Sequence, residues 1–216
     1  MKRAALGFRM HSGWGVLVAV SGDGDSVQLV ERRRIVVTDS GMPGATQPYH
    51  YGASLELAEA ERHIANCAAV SERLALAAVG EVVRGLKVRK YRIEGAAVLL
   101  ASGRALPTLA KILAAHPLIH TAEGEFFRRA VRGACERLKV SVAAIPEREL
   151  EERAKAAFGK GGGSVQRRLA TLGSSVGPPW TKDHKAAALA ALMVLASKQL
   201  IAASNQLHYA AGPADV

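Results

Sequence analysis

Only two of the 216 residues are cysteine, too few for the disulfide framework of a small secreted domain. Cys67 and Cys135 each sit in an apolar helical pattern and read as small core residues. Neither has a His and an Asn in a recognisable local setting, so a thiol nucleophile is unsupported. Aromatic residues make up just 5%. The core must therefore be built from Ala, Val and Leu, whose small side chains let helices approach sheets closely. Long apolar runs are also missing. The best candidate for a membrane span, Ala186 to Ala203, is weakened by its Ala content and interrupted by Lys198 and Gln199, so a buried helix is expected there. Met1-Lys2-Arg3 opens like a signal peptide, but Arg9, His11 and Gly13 break the apolar run and no small-residue cleavage site follows. By elimination the expectation is a cytoplasmic protein without a membrane partner.

Two phosphate- or metal-binding loops are excluded as well. Gly159-Lys160-Gly161-Gly162-Gly163-Ser164 lacks the G-x-x-x-x-G-K-[ST] order of a phosphate loop and reads as a flexible joint over 159–163. Asp23 and Asp25 lack the Gly and distal Glu of a calcium loop and read as a hairpin turn. Acidic residues are scarce relative to basic ones: 19 Asp and Glu against 29 Lys and Arg, a net charge of +10. Such a balance favours acidic partners, either nucleic acid or an acidic protein.

What is present fits one domain over 1–216, with 49% hydrophobic and 22% charged residues. Ala4 to Met10, Trp14 to Val20 and Ser26 to Asp39 are apolar, Val-rich segments separated by tight turn signals, an antiparallel three-stranded meander. Residues 40–53 read as a loop. Ser54 is a candidate cap for a helix whose apolar face runs Leu57, Ala60, Ile64, Cys67, Ser71, Leu74. Tyr91 to Ala101 suits a buried fourth strand. Pro107 opens a short helix. Thr121 is a candidate cap for a helix over Ala122 to Leu138, and Val140 to Ile145 is a fifth strand. Glu147 to Phe158 is helical and charged. Thr181 caps a last helix from Lys182 to about Ala203, and residues 212–216 read as a frayed end. Strands four and five are reached through helices, so they should pair in parallel. The expected fold is α/β: a mixed five-stranded sheet, three antiparallel strands then two parallel, with helices on both faces.

That order, with two local sequences, resembles the ribonuclease H-like superfamily. Ala5-Leu6-Gly7-Phe8-Arg9-Met10-His11-Ser12-Gly13-Trp14-Gly15-Val16 is similar to the first hairpin of the Holliday-junction resolvase branch, where L-G-I-D is followed by a turn and G-W-G-V. Lys182-Asp183-His184-Lys185-Ala186-Ala187-Ala188-Leu189-Ala190 resembles the start of that branch's last helix, D-x-x-D-A-L-A. The resemblance implies clustered carboxylates that hold two divalent metals, Mg or Mn, for phosphodiester hydrolysis. At the implied positions this chain has Arg9 on the first strand, Ser102 after the fourth, and Asp183 then Ala186 on the last helix. One carboxylate of four matches, so Asp183 is the single candidate catalytic residue. Arg9 and Asp183 should approach each other.

A relocated metal site is the alternative. His116, His120, Glu123 and Glu125 fall within ten residues and His184 adjoins Asp183, and His with carboxylates suits zinc or manganese. The set weighed is His120, Glu123, Glu125 and His184. Pro117 puts helical ligand spacing in question, and the plainer reading of Glu123 and Glu125 is a pair of acids at a helix start. Arg128, Arg129 and Arg132, expected on the solvent face of one helix, and Arg167 and Arg168 are the candidate phosphate-binding residues. The expectation is a ribonuclease H-like protein with a degenerate metal site and no resident cofactor. It would bind nucleic acid without cleaving it. The alternatives are a metal-dependent nuclease or phosphodiesterase and a structural protein-interaction domain.

Overall fold

The Val- and Ala-rich start of the chain alternates its side chains between two buried faces. In the computed structural model it forms strands β1 (Lys2–Met10), β2 (Trp14–Ser21) and β3 (Gln28–Val36). The structure describes residues 1–22, 27–101, 105–158, 165, 167, 169–173 and 177–196. The turn at Asp23 and Asp25, Ser102, the 159–163 joint, Arg168 and the 212–216 end lie outside them. β4 (Tyr91–Leu100) pairs in parallel with β1, and β5 (Val142–Pro146) in parallel with β4. The strand order is β3-β2-β1-β4-β5, so the meander forms one edge of a mixed sheet.

Helices follow as α1 (Pro48–Gly52), α2 (Leu57–Val88), α3 (Leu109–Leu113), α4 (His116–Arg137), α5 (Leu150–Phe158) and α6 (Lys182–Ala196). One core lies between the sheet and α2 and α4, centred on Phe8, Leu17, Leu86 and Phe127. The opposite face carries α6, whose Ala187, Ala188, Ala190 and Ala191 pack against Ala5, Val18 and Ala97. Gly7 shows why small residues are needed there. A Cβ on it would run into the Ala187 carbonyl. The backbone of α6 thus crosses β1 closely, which fixes where Asp183 stands. Among the described residues, no helix is long and apolar enough to cross a membrane.

Three local expectations are corrected. Residues 40–53 are not loop throughout, because Pro48 opens α1. Ser54 does not cap α2; its hydroxyl donates to the Tyr51 carbonyl and Glu56 precedes the helix. Thr121 lies inside α4, donating to the Pro117 carbonyl, because that helix begins five residues earlier with Pro117 in its first turn. Proline suits that position, where its missing N–H would have no intrahelical partner. Thr181 does precede α6. The His184 ring reaches back to it, with Nδ1 3.2 Å from the Thr181 N–H and 2.8 Å from its hydroxyl, in the manner of a capping box. Both cysteines are buried and free, and burial pushes the Cys135 thiol up to about 12.

Candidate functional site at the carboxyl edge of the parallel strands

Parallel pairing brings the carboxyl ends of β1, β4 and β5 to one edge of the sheet, the customary place for sites in open α/β sheets. Arg9 projects there from β1. Its Nε and Nη2 donate to Glu147 Oε1 at 3.1 and 2.7 Å, and its Nη1 donates to Asp183 Oδ1. Glu147 follows β5 directly and Asp183 lies in the first turn of α6. His11 Nε2 is 2.9 Å from Asp183 Oδ2 and 3.3 Å from Arg9 Nη1, and its ring stacks on Trp14 at 4.4 Å. Arg34 in turn lies 3.8 Å above the Trp14 ring. Burial works against the Arg9 charge, but the hydrogen bonds and charges of Glu147 and then Asp183 outweigh it, and its pKa is raised.

A second guanidinium lies beneath the first. Arg128 is buried, with Nε donating to the Leu99 carbonyl at 2.7 Å, Nη1 to the Gly124 carbonyl and Nη2 to the Met10 carbonyl at 3.5 Å. It ties together carbonyls at the ends of β1 and β4. Gly124 makes room for it, since a Cβ there would approach Nη1 to 2.9 Å. Burial lowers its pKa, Glu125 and Glu147 oppose that, and Arg9 adds to it.

The solvent-facing arginine cluster expected on α4 is therefore corrected. Arg128 points into the sheet edge. Arg132 is paired with Glu125 at 3.0 Å, and its buried Nε has no partner among the described residues. Arg129 is exposed, and its charge works against the burial that raises the Tyr49 pKa. Arg167 is exposed. Helical periodicity alone missed Arg128 because a long cationic side chain can turn inward when strand-end carbonyls need donors.

The relocated metal set does not assemble either. Glu125 is held by Arg132, and His184 lies buried on the opposite face of the sheet, beside Trp180 and Thr181. Ala186 is half-buried on α6. Glu123 is 5% exposed, and its Oε1 accepts the Tyr49 and His50 backbone N–H groups at 2.8 and 3.0 Å. It thereby serves the N-terminus of α1, which has no side-chain cap of its own. The same oxygen is 3.3 Å from His50 Nδ1. Burial raises the Glu123 pKa despite these bonds. What does converge is His50, His116 and His120, at the rim of the edge. A cleft of about 240 Å³ opens beside them, lined by Met10, His11, His50, Ala101, His120, Glu123 and Arg128. His50 and Glu147 were not legible as site residues, since each comes to the edge from a distant part of the chain.

No family model and no curated protein matches this sequence. Solved structures do. RuvC of Thermus thermophilus is 16% identical, with 88% of this chain and 92% of that one covered at a TM-score of 0.49. T. thermophilus RuvC in complex with Holliday junction substrate is 15% identical, with 88% and 91% covered at a TM-score of 0.51. The five-stranded mixed sheet and its flanking helices are those of the ribonuclease H-like fold, shared along most of the chain with T. thermophilus RuvC.

Proposed function

We propose that this protein binds nucleic acid across the carboxyl edge of its sheet and does not hydrolyse it there. The observation that carries the reading is the Arg9 guanidinium held between Glu147 and Asp183. A two-metal nuclease needs clustered carboxylates facing divalent cations. Here the two acids share a fixed cation, which repels a second one. The edge is degenerate as a metal site and works instead as an ion-paired clamp that joins β1, the end of β5 and α6.

Surface charge supports nucleic acid as the partner. The chain carries +10 in all. Arg148 and Lys182 adjoin Glu147 and Asp183 in sequence, and both are exposed. They rim the edge with cations that can neutralise phosphates, together with Arg129 and Arg167 elsewhere on the surface. Branched DNA is the first class to test, because the solved neighbour is recorded with a Holliday junction.

The experiment is fluorescence anisotropy with a labelled four-way junction, a duplex and a single strand, each titrated between about 50 and 200 mM salt. Binding should weaken steeply with salt. The Arg148→Ala/Lys182→Ala double variant should weaken it further and flatten the salt slope by about one unit per lost phosphate contact. With Mg2+ or Mn2+ added, all three DNAs should stay intact. Failure to bind any DNA or RNA at low salt would leave an acidic protein as the partner. Metal-dependent cleavage that Asp183→Ala abolishes would make the protein a nuclease.

A further inference from the structure

The three imidazoles at the rim of the cleft play no part in the ion-paired clamp. His116 and His120 stand four residues apart on α4, so they share one face of the helix. His50 reaches them from α1, which is docked on α4 by the two backbone bonds to Glu123. The ring centroids are 4.4 Å apart for His116 and His120, 4.8 Å for His50 and His120, and 5.4 Å for His50 and His116. One nitrogen from each ring lies within 4.8 Å of the other two.

We propose that His50, His116 and His120 form a binding site for a divalent transition-metal ion, zinc by its chemistry. Zinc–nitrogen bonds of about 2.0–2.1 Å in a tetrahedron put imidazole nitrogens about 3.3 Å apart. Small rotamer changes of exposed side chains cover the difference, and His116 and His120 are both exposed. Three neutral imidazoles suit zinc and its first-row neighbours and do not suit magnesium, which prefers oxygen ligands. A carboxylate is already in place behind the set. Glu123 Oε1 is 3.3 Å from His50 Nδ1, so a proton on Nδ1 leaves the Nε2 lone pair for the metal. The Glu123 Oε2 atom is buried and without a partner among the described residues. Three protein ligands leave a fourth position for water or an anionic oxygen, and His50 and His120 line the cleft from which one would come.

Chelator-treated full-length protein is titrated with ZnCl2 by calorimetry and with CoCl2 by visible absorption, with melting temperature followed in parallel. One equivalent of zinc should bind and raise the melting temperature. Cobalt should give the intense d–d bands of a tetrahedral site, and Mg2+ should do neither. His116→Ala and His120→Ala change exposed side chains, so folding should be preserved. Each should abolish the cobalt bands and weaken zinc at least tenfold. Glu123→Gln should weaken zinc by about 10–100-fold. His63→Ala, outside the set, should leave both unchanged. Absence of saturable zinc uptake would overturn the site, as would uptake that survives the His116→Ala/His120→Ala double variant. None of these measurements involves nucleic acid, so the outcome is independent of the proposed function.

Discussion

Arg9 and Asp183, 174 positions apart in the chain, are joined by a charge-assisted hydrogen bond at the edge of the sheet. The pair links the first strand to the last helix. It depends on how closely the two elements pack. The small residues of β1 let α6 lie close to the sheet, and Thr181 with His184 starts that helix so that Asp183 falls in its first turn. Both side chains are roughly four-fifths buried, at 18% and 19% exposure, so the bond is only partly screened by solvent.

The clamp should be asymmetric. Arg9→Leu leaves Glu147 and Asp183 facing one another without a cation. It should cost about 1–3 kcal/mol in urea denaturation. Asp183→Ala should cost less, because Arg9 keeps both of its bonds to Glu147. Combining the two changes should cost less than their sum, since the second removes a carboxylate already left unpaired. Strict additivity would mean that the three charged groups do not act together.

Replacing the fixed cation with an acid should invite a mobile one. Arg9→Asp would put a third carboxylate beside Glu147 and Asp183, the kind of cluster that holds Mg2+ or Mn2+. The variant should be less stable than the parent without metal. Millimolar Mn2+ should raise its melting temperature. Arg9→Asp made in a His116→Ala/His120→Ala background should still respond, and that background alone should not, which separates this edge from the imidazole cluster. An unresponsive Arg9→Asp variant would show that the guanidinium is not what keeps divalent ions out.

The meander, the two parallel strands and the pairing of Arg9 with Asp183 were legible in the sequence. Each depends on a local pattern, or on a motif whose two halves the strand order must bring together. Residues whose roles depend on side-chain direction were not. Arg128 carries the period of a surface residue, yet it turns inward to donate to the carbonyls of Met10, the last residue of β1, and of Leu99, the last but one of β4. Pro117 was read as an obstacle to helical spacing between His116 and His120, whereas it occupies the first turn that tolerates it. His50 was hidden because 40–53 lacks any apolar period, and α1 forms only where Glu123 of a distant helix meets its free N–H groups.

Arg128 should prove structural and irreplaceable by lysine. Arg128→Met leaves the carbonyls of Leu99 and Met10 without their donor, at about 1–3 kcal/mol for each buried group. Lysine keeps the charge but cannot reach separate carbonyls with a rigid fork, so Arg128→Lys should recover little of the loss. Both losses should be nearly independent of salt, because the bonds are to neutral carbonyls away from solvent. Urea denaturation at low and high ionic strength measures this. A loss that shrinks strongly with salt would point to the neighbouring charges of Glu125 and Glu147 as the dominant partners.

Glu123 should give the protein a distinctive response to pH. Its burial holds the folded-state pKa above the ordinary 4.5, although the bonds from His50 and Tyr49 pull the other way. Between those two values the folded chain binds more of this proton than the unfolded chain does. The stabilisation linked to that proton is complete below about pH 4.5 and is lost as the pH rises through the raised folded value. Glu123→Gln keeps an amide oxygen for the Tyr49 and His50 N–H groups and has no charge to bury. The stability of Glu123→Gln relative to the parent should therefore grow as the pH is raised from about 4 to 7. Denaturation should be followed in the presence of a chelator, so that metal bound by the imidazoles does not contribute. The opposite trend, with the parent gaining on the variant as the pH rises, would mean that the carboxylate is held charged by His50 and the helix N-terminus, and that its burial is the weaker influence.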